Sequence, residues 1–305
     1  MTTDRSADLI RQGGAGQGNA TPFMQSVDAL SAEAISAGAL LPVEAREVTL
    51  ESDGLAFMVR HVQALQKKQA LPGGPRDPDF NPFLPPEPAL TVGPVGAHHV
   101  AILNKYPVSH RHLVLARTEF IEQATALELH DFQALAQLLS ASGGLGFHNG
   151  GTPAGASQRH KHVQWVPAGR NNPSLRMFRP ALDPDARELT AFIHLQLPMR
   201  HCFVRVRAGE GVDPDISARS MLQGYERSLD TLQMKADASG HLPPANMLVE
   251  DGWMLIVPRS KEHFAEISLN ALSFGGVLYV RDEGQIDAIR EAGPLAVLAS
   301  VSCPI

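Results

Sequence analysis

The chain is 305 residues long and carries 26 Lys and Arg against 32 Asp and Glu, a formal net charge of -6. That length accommodates one large domain or two modest ones, at roughly 150 residues each, and it buries a substantial core without disulfide staples. The acidic balance argues against a nucleic-acid polymer or an anionic membrane surface as main partner, because both recruit basic faces.

Hydrophobic residues make up 44% of the chain, and 26 Gly with 23 Pro predict many turns rather than disorder. Cys202 and Cys303 make no disulfide framework, and neither belongs to a metal-type C-x-x-C pair. Met1 to Thr21 is polar and Gly-rich with no apolar signal-peptide core. No apolar run approaches the roughly 18 residues that cross a bilayer. A reduced, soluble, cytoplasmic protein is expected.

In chain order, residues 1–22 read as a flexible arm whose composition cannot pack. Apolar spacing predicts a helix over Val27–Leu40 that ends near Gly38. Val48–Val62 reads as strand material around a Gly54 turn. Pro72–Pro94 is dense in Pro and Gly and predicts an extended surface loop. Val100–Asn104 and Leu113–Ala116 look like buried strands, followed by an amphipathic helix over Ile121–Ser140 that Gly143 and Gly144 stop. Leu145–Asn149 and His160–Val166 are two further strands around the Gly/Ser loop Gly150–Gln158. Arg170–Asp185 reads as a linker, and helices are expected over Asp185–Leu197 and Ser217–Met234.

From Asn246 to Phe264 the strand–turn–strand pattern of Val100–Phe120 returns, with Arg259 and Phe264 echoing Arg117 and Phe120. Either two hairpins share a pattern by chance, or a duplication left the chemistry in one half and made the other a scaffold. Val277–Val280 supplies a later strand, but the second copy shows no counterpart of the His-rich strand.

The 13 His are half as many as all the Lys and Arg together. They fall as His98-His99, His110 with His112, and His160-Lys161-His162-Val163-Gln164. On a strand, residues two apart share a face, so His160, His162 and Gln164 form a row while Lys161, Val163 and Trp165 face the other way. Three uses fit such a row. Two imidazoles can ligate zinc, though the third ligand must come from elsewhere and Gln is a poor one. Histidines can be satisfied structural groups. A neutral imidazole can also attack phosphorus, since its pKa near ~6.5 leaves a free lone pair at neutral pH. The glycine-rich loop ahead of the row favours the third use. Its backbone N–H groups can approach phosphate oxygens, and Asn149, Ser157 and Gln158 add side-chain donors.

Gly155-Ala-Ser-Gln-Arg-His-Lys-His-Val-Gln164 resembles the active-site strand of the diadenosine tetraphosphate phosphorylases, or ATP adenylyltransferases. These form the transferase branch of the histidine-triad superfamily, related to galactose-1-phosphate uridylyltransferase. The segments beginning at Asn81, Leu103, Asn246 and Leu272 resemble that family in the same order, so the likeness covers roughly residues 38–303. It implies an α+β fold, a histidine-triad-like antiparallel sheet with flanking helices, built as two unequal half-repeats in one compact unit. The division expected is an arm over 1–22, a catalytic half over 23–180 and an adenylyltransferase-like half over 181–305.

The resemblance implies that His162 attacks the α-phosphorus of a dinucleoside polyphosphate. ATP leaves, and inorganic phosphate takes the adenylyl group as ADP, reversibly. The His160 carbonyl then fixes the tautomer of His162, and Gln164 donates to the non-bridging oxygens. Ser157 and Gln158 contact the leaving polyphosphate, Asn149 the phosphate chain and Asn104 the ribose. His112 is the family's hairpin His and reads as structural, while His110, His98 and His99 read as incidental. The family's lysine falls on Lys67 or Lys68, with Lys68 preferred, and its C-terminal lysine is replaced here by Arg281. Arg159 stands where the family usually has proline and faces either phosphate or solvent. No cofactor is required, although Mg²⁺ is expected to assist as counter-ion of the polyphosphate, and a monomer is expected. Two alternatives remain open at this point: uridylyl transfer to a sugar phosphate, and a non-catalytic nucleotide- or zinc-binding protein.

Overall fold

The structure is a computed structural model that describes residues 21–42, 45–62 and 80–305. The arm up to residue 20, Lys67 and Lys68, and the first part of the Pro/Gly loop lie outside the described residues.

Helix α1 (Pro22–Ser36) is capped by the Thr21 hydroxyl, which accepts from the Met24 N–H, and has proline in its first turn. It therefore begins earlier than the apolar spacing suggests and takes in Pro22 from the expected arm. Strands β1 (Ala45–Ser52) and β2 (Leu55–Val62) pair antiparallel around Asp53-Gly54. The described end of the Pro-rich loop becomes an edge strand, β3 (Thr91–Val95). The edge is where Pro94 is tolerated, because no neighbour needs its missing N–H.

β4 (His99–Leu103) and β5 (Leu113–Arg117) follow as expected. The next helix, α2, covers only Leu129–Ser142. Residues 121–125 form a bridged turn instead: the Thr125 N–H closes on Glu122 O (3.1 Å), the Gln123 N–H donates to Arg159 O (2.7 Å) and the Lys161 N–H donates to Ile121 O (2.8 Å). A reciprocal capping box between Glu128 and Asp131 then starts the helix. β6 (Leu145–Gly150) and β7 (His162–Val166) flank the glycine loop.

No helix forms over 185–197. Leu189 sits at φ 64°, a short strand β8 (Ala191–Phe192) follows, and Leu195 is 97% exposed while Leu197 is buried in the core, an alternation that no helical face gives. β9 (Cys202–Arg205) leads to α3 (Pro214–Thr231), capped by Asp213 and ended before Gln233, at φ 51°. β10 (Ala245–Glu250), β11 (Trp253–Pro258), β12 (His263–Phe264), β13 (Ile267–Ser268), α4 (Ala271–Phe274), β14 (Val277–Val280), α5 (Glu283–Ala292) and α6 (Pro294–Ser300) complete the chain.

Nine strands form one antiparallel sheet in the order β3-β4-β5-β7-β6-β10-β11-β9-β8, and β1-β2-β14 form a second. Both faces of the large sheet are covered, so its strands read as nearly continuous apolar runs. Along β10, Met247 and Val249 join a core with Phe132 and Tyr225 of α2 and α3. Leu248 between them joins the opposite core with Phe57, Leu278 and Leu298. The core is thus divided by sheet face.

The repeat is real in the sheet, but its register differs from the sequence reading. Between β4 and β8 the strand order reads the same from either end about the β6–β10 pair, each half being hairpin, helix, hairpin. β6–β7 therefore corresponds to β10–β11, and β4–β5 to β8–β9. A strand–turn–strand pattern is too generic to set this register by itself. The buried His112 and His201 each precede the inner strand of their outer hairpin by one residue. Counting from them, Ala116 faces His162 and Arg205 faces Trp253, while Val114 faces Gln164 and Phe203 faces Leu255. The His-rich strand does have a counterpart, and it is apolar.

Candidate active site

β7 exists because it is paired on both sides, by β5 up to His162 and by β6 up to Gln164. Its alternation sends His162 and Gln164 to one face and Val163 and Trp165 into the helix-covered core. His162 Nδ1 lies 2.8 Å from His160 O, so Nδ1 carries the proton and donates to that carbonyl. Nε2 is left with its lone pair and has no protein partner among the described residues. Burial holds the His162 imidazole down to about 4, against the hydrogen bond to the His160 carbonyl, which raises it. At neutral pH it is an uncharged nucleophile with one tautomer.

His160 is fixed from both nitrogens. Its Nε2–H donates to Arg117 O (2.7 Å) and its Nδ1 accepts from Asn81 Nδ2 (3.0 Å). Neither nitrogen keeps a lone pair for a metal in this arrangement. Phe83 meets His160 edge-on at 5.6 Å and leans on His162 at 5.1 Å, and Phe120 closes the other side of His160.

Gln164 Oε1 accepts from His112 Nε2 (3.0 Å), while His112 Nδ1 receives the Val108 N–H (3.5 Å). Holding Oε1 leaves the Gln164 amide N–H groups as donors to the site. With the proton on His112 Nε2, the 3.4 Å approach of Asn104 Nδ2 to that atom is a contact rather than a hydrogen bond. Asn104 is placed on the same His112 as Gln164, and its Oδ1 accepts the Tyr106 N–H.

Asn149 comes from the end of β6. Its Oδ1 accepts from Asn246 Nδ2 and from the Ala271 N–H, both at 2.9 Å, which directs the amide N–H groups away from those partners. Asn246 is in turn held by Arg259 (2.5 Å), a buried guanidinium that also donates to the carbonyls of Val301, Lys261 and Leu269 and lies over Phe274. Burial brings that guanidinium down to about 10.

The glycine loop is less of an open cradle than its composition suggests. Gly151, Ala154, Gly155 and Ala156 spend their N–H groups on carbonyls within residues 149–152. Gly155 is required at φ 84°, where a Cβ would stand 2.8 Å from Leu269 O. Exposed Thr152 and Ser157 and half-buried Gln158 keep both backbone and side-chain donors unbonded among the described residues.

Other expected residues lie elsewhere or in other roles. Arg281 donates to Glu266 O (2.8 Å) and pairs with its carboxylate (3.6 Å). Arg159 pairs with Glu122 at the surface. His110 stands near Asp28 and His98 stacks on His130. His99 is not incidental, being buried with its Nε2 3.0 Å from Asp131. Lys68 lies outside the described residues. Sequence reasoning missed Asn81, Gln123 and Asn246 as site supports. The first and last stand inside segments that carry the family resemblance. Gln123 was hidden within a stretch read as helix.

Burial lowers the pKa of seven histidines: His148 and His162 to about 4, and His99, His110, His160, His194 and His201 in the same direction. The unfolded chain, with imidazoles near ~6.5, then binds more protons than the folded one between about 4 and 6.5. Stability is fully present above that window and is lost as the pH falls through it. Glu250, whose carboxyl burial pushes up, works against the trend as a single group. Tm is expected to be level from pH 7 to 8 and to fall steadily below 6.5. A Tm unchanged down to pH 5 contradicts this.

A neutral imidazole held in one tautomer, on the same strand face as Gln164 and beside a gap between strands, has the chemistry for attack on phosphorus. Residues 17–177, which are 161 of the 305, match the family described as Ap4A phosphorylase N-terminal domain, and residues 195–304 match the ATP adenylyltransferase C-terminal domain. The chain belongs to the Ap4A phosphorylase family. It is 26% identical over 262 residues to Protein APA1 of Saccharomyces cerevisiae, covering 78% of this chain and 79% of that protein. It is 25% identical to diadenosine 5',5'''-P1,P4-tetraphosphate phosphorylase 2 of the same yeast, covering 73% and 75%. Its fold is shared with yeast Ap4A phosphorylase Apa2 in complex with Ap4A, at TM-score 0.73 and 20% identity over 93% of this chain and 97% of that one.

Proposed function

We propose that this protein is a nucleotidyltransferase that cleaves diadenosine tetraphosphate with phosphate to give ATP and ADP. The observation that carries the reading is His162, buried, neutral, with Nδ1–H given to His160 O and Nε2 unpartnered. Nε2 forms a bond to the α-phosphorus while the bond to the leaving ATP oxygen breaks. The new imidazolium keeps its Nδ1–H on the His160 carbonyl, where the charge is best placed. Phosphate then attacks the same phosphorus, the N–P bond breaks, and ADP and neutral His162 are released.

In this reading the Gln164 amide donates to the non-bridging oxygens. Asn149 and the Ser157–Gln158 donors hold the phosphate chain, and Asn104 serves the ribose. Lys68 and Arg281 supply charge further along the polyphosphate, Arg281 by exchanging its Glu266 contact. Gln164 cannot act as acid or base towards water, which supports transfer over hydrolysis. Mg²⁺ enters with the substrate as counter-ion. The enzyme works as a cytoplasmic monomer.

Incubation with diadenosine tetraphosphate and phosphate is expected to give ATP and ADP in equal amounts, with little AMP. A uracil dinucleotide or a sugar phosphate with UTP as the better substrate, or AMP as main product, overturns the reading.

A further inference from the structure

The β6–β7 ladder closes at Phe147 and Gln164 and then stops, although β6 runs on to Gly150 and β7 reaches His162. The main-chain groups of His162 that would meet β6 are taken by side chains: Gln123 holds both, and His148 Nδ1 shares His162 O at 3.1 Å. Gln123 Oε1 accepts the His162 N–H (2.8 Å), and Gln123 Nε2 donates to His162 O (3.2 Å). The same Nε2 donates to Asn149 O (2.9 Å) and lies 3.3 Å from His148 Nδ1. Gln123 is only 2% exposed, and its own backbone is paired with Arg159, just before the His-rich strand.

We infer that Gln123 is a positioning residue whose carboxamide stands in for the missing strand and sets the slot between the His162 imidazole and the Asn149 amide. Where a main-chain ladder would draw β6 and β7 together, the carboxamide holds them apart by its own width and still satisfies both edges. The splay is what gives a phosphate group room between the nucleophile and the donor opposite. The acceptor and donor ends of the amide are not interchangeable, since one faces an N–H and the other faces carbonyls. This inference rests on the adenylyl-transfer reading above.

Gln123→Met keeps the size without either hydrogen bond, and Gln123→Glu keeps the acceptor and loses the donor when ionised. A slot widened or narrowed by about 1 Å costs on the order of 10²-fold in rate. Both variants are expected to lower kcat at pH 8 by about that factor, with KM moved less than about threefold, and to slow single-turnover adenylylation of His162 equally. Burial raises the pKa of the new carboxyl. Its protonated form can accept on one oxygen and donate from the other, so kcat of Gln123→Glu is expected to rise as the pH is lowered from 8 to 6. Wild-type kcat stays level there because His162 is already neutral.

Folded variants with kcat within twofold of wild type, or a Gln123→Glu profile parallel to wild type, overturn the inference. One measurement needs no variant: in the wild-type protein the Gln123 side-chain NH₂ is expected to be protected from solvent exchange by NMR, and free exchange contradicts it. A wild type that forms no adenylyl-histidine, with the NH₂ protected, overturns the reaction assigned and leaves the wedge standing.

Discussion

His162→Ala is expected to lower kcat for dinucleotide phosphorolysis by about 10⁴-fold or more, because it removes the group that carries the adenylyl moiety in the proposed reaction. In that reaction the neighbouring donors bind substrate but provide no covalent path, so KM should move far less than kcat. The variant should keep its fold, since β7 remains paired with β5 through main-chain bonds that the substitution leaves alone. Steady-state kinetics alongside circular dichroism check this. A folded His162→Ala protein with a tenth or more of wild-type activity contradicts the assignment of the nucleophile.

Asp131→Ala is expected to produce the largest loss of stability. The carboxylate is fully buried and sits among three basic groups: His99 Nε2 at 3.0 Å, Arg117 Nε at 3.4 Å and Lys161 Nζ at 3.9 Å. It also accepts the Glu128 N–H (2.8 Å) and so closes the capping box of α2. Burial alone would raise its pKa, but His99, Lys161, the Glu128 N–H and Arg117 together outweigh that and hold it low. Without it, Lys161 keeps only the Ala126 carbonyl (2.6 Å), and Arg117 Nε, whose 3.4 Å approach is already too poorly aligned for a hydrogen bond, keeps nothing.

Breaking a buried ion pair from one side typically costs about 3–5 kcal/mol, equivalent for a chain of this length to a Tm lower by roughly 5–8 °C. Activity should fall too, because Arg117 O is what holds His160. A Tm within about 2 °C of wild type contradicts this account of the network.

The His162 row was legible from sequence because strand alternation has a period of two and the residues stand in one short run. The same alternation put Lys161 on the opposite face from His162, where the structure has it buried against Asp131. What could not be read is what arrives from distant parts of the chain. Asn81 reaches His160 from 79 residues away and Asn246 reaches Asn149 from 97 residues away. No local period records such contacts. Gln123 was obscured by a local error: the leucines after residue 126 have helical spacing, and nothing in the sequence shows that residues 121–123 pair with 159–161 before the helix starts. The repeat was visible as a pattern and misplaced by one hairpin. The palindromic strand order is a property of sheet pairing, and the apolar β11 carries no trace of the histidines opposite it.

The central claim is that His162 Nε2 carries the adenylyl group between two displacements. Mixing the protein with diadenosine tetraphosphate in phosphate-free buffer, quenching without acid and mapping peptides by mass spectrometry tests it most directly. The expected result is one AMP adduct on His162 that is acid-labile and is discharged as ADP when phosphate is added. An unmodified His162 peptide under turnover conditions, or an adduct on another residue, would contradict it.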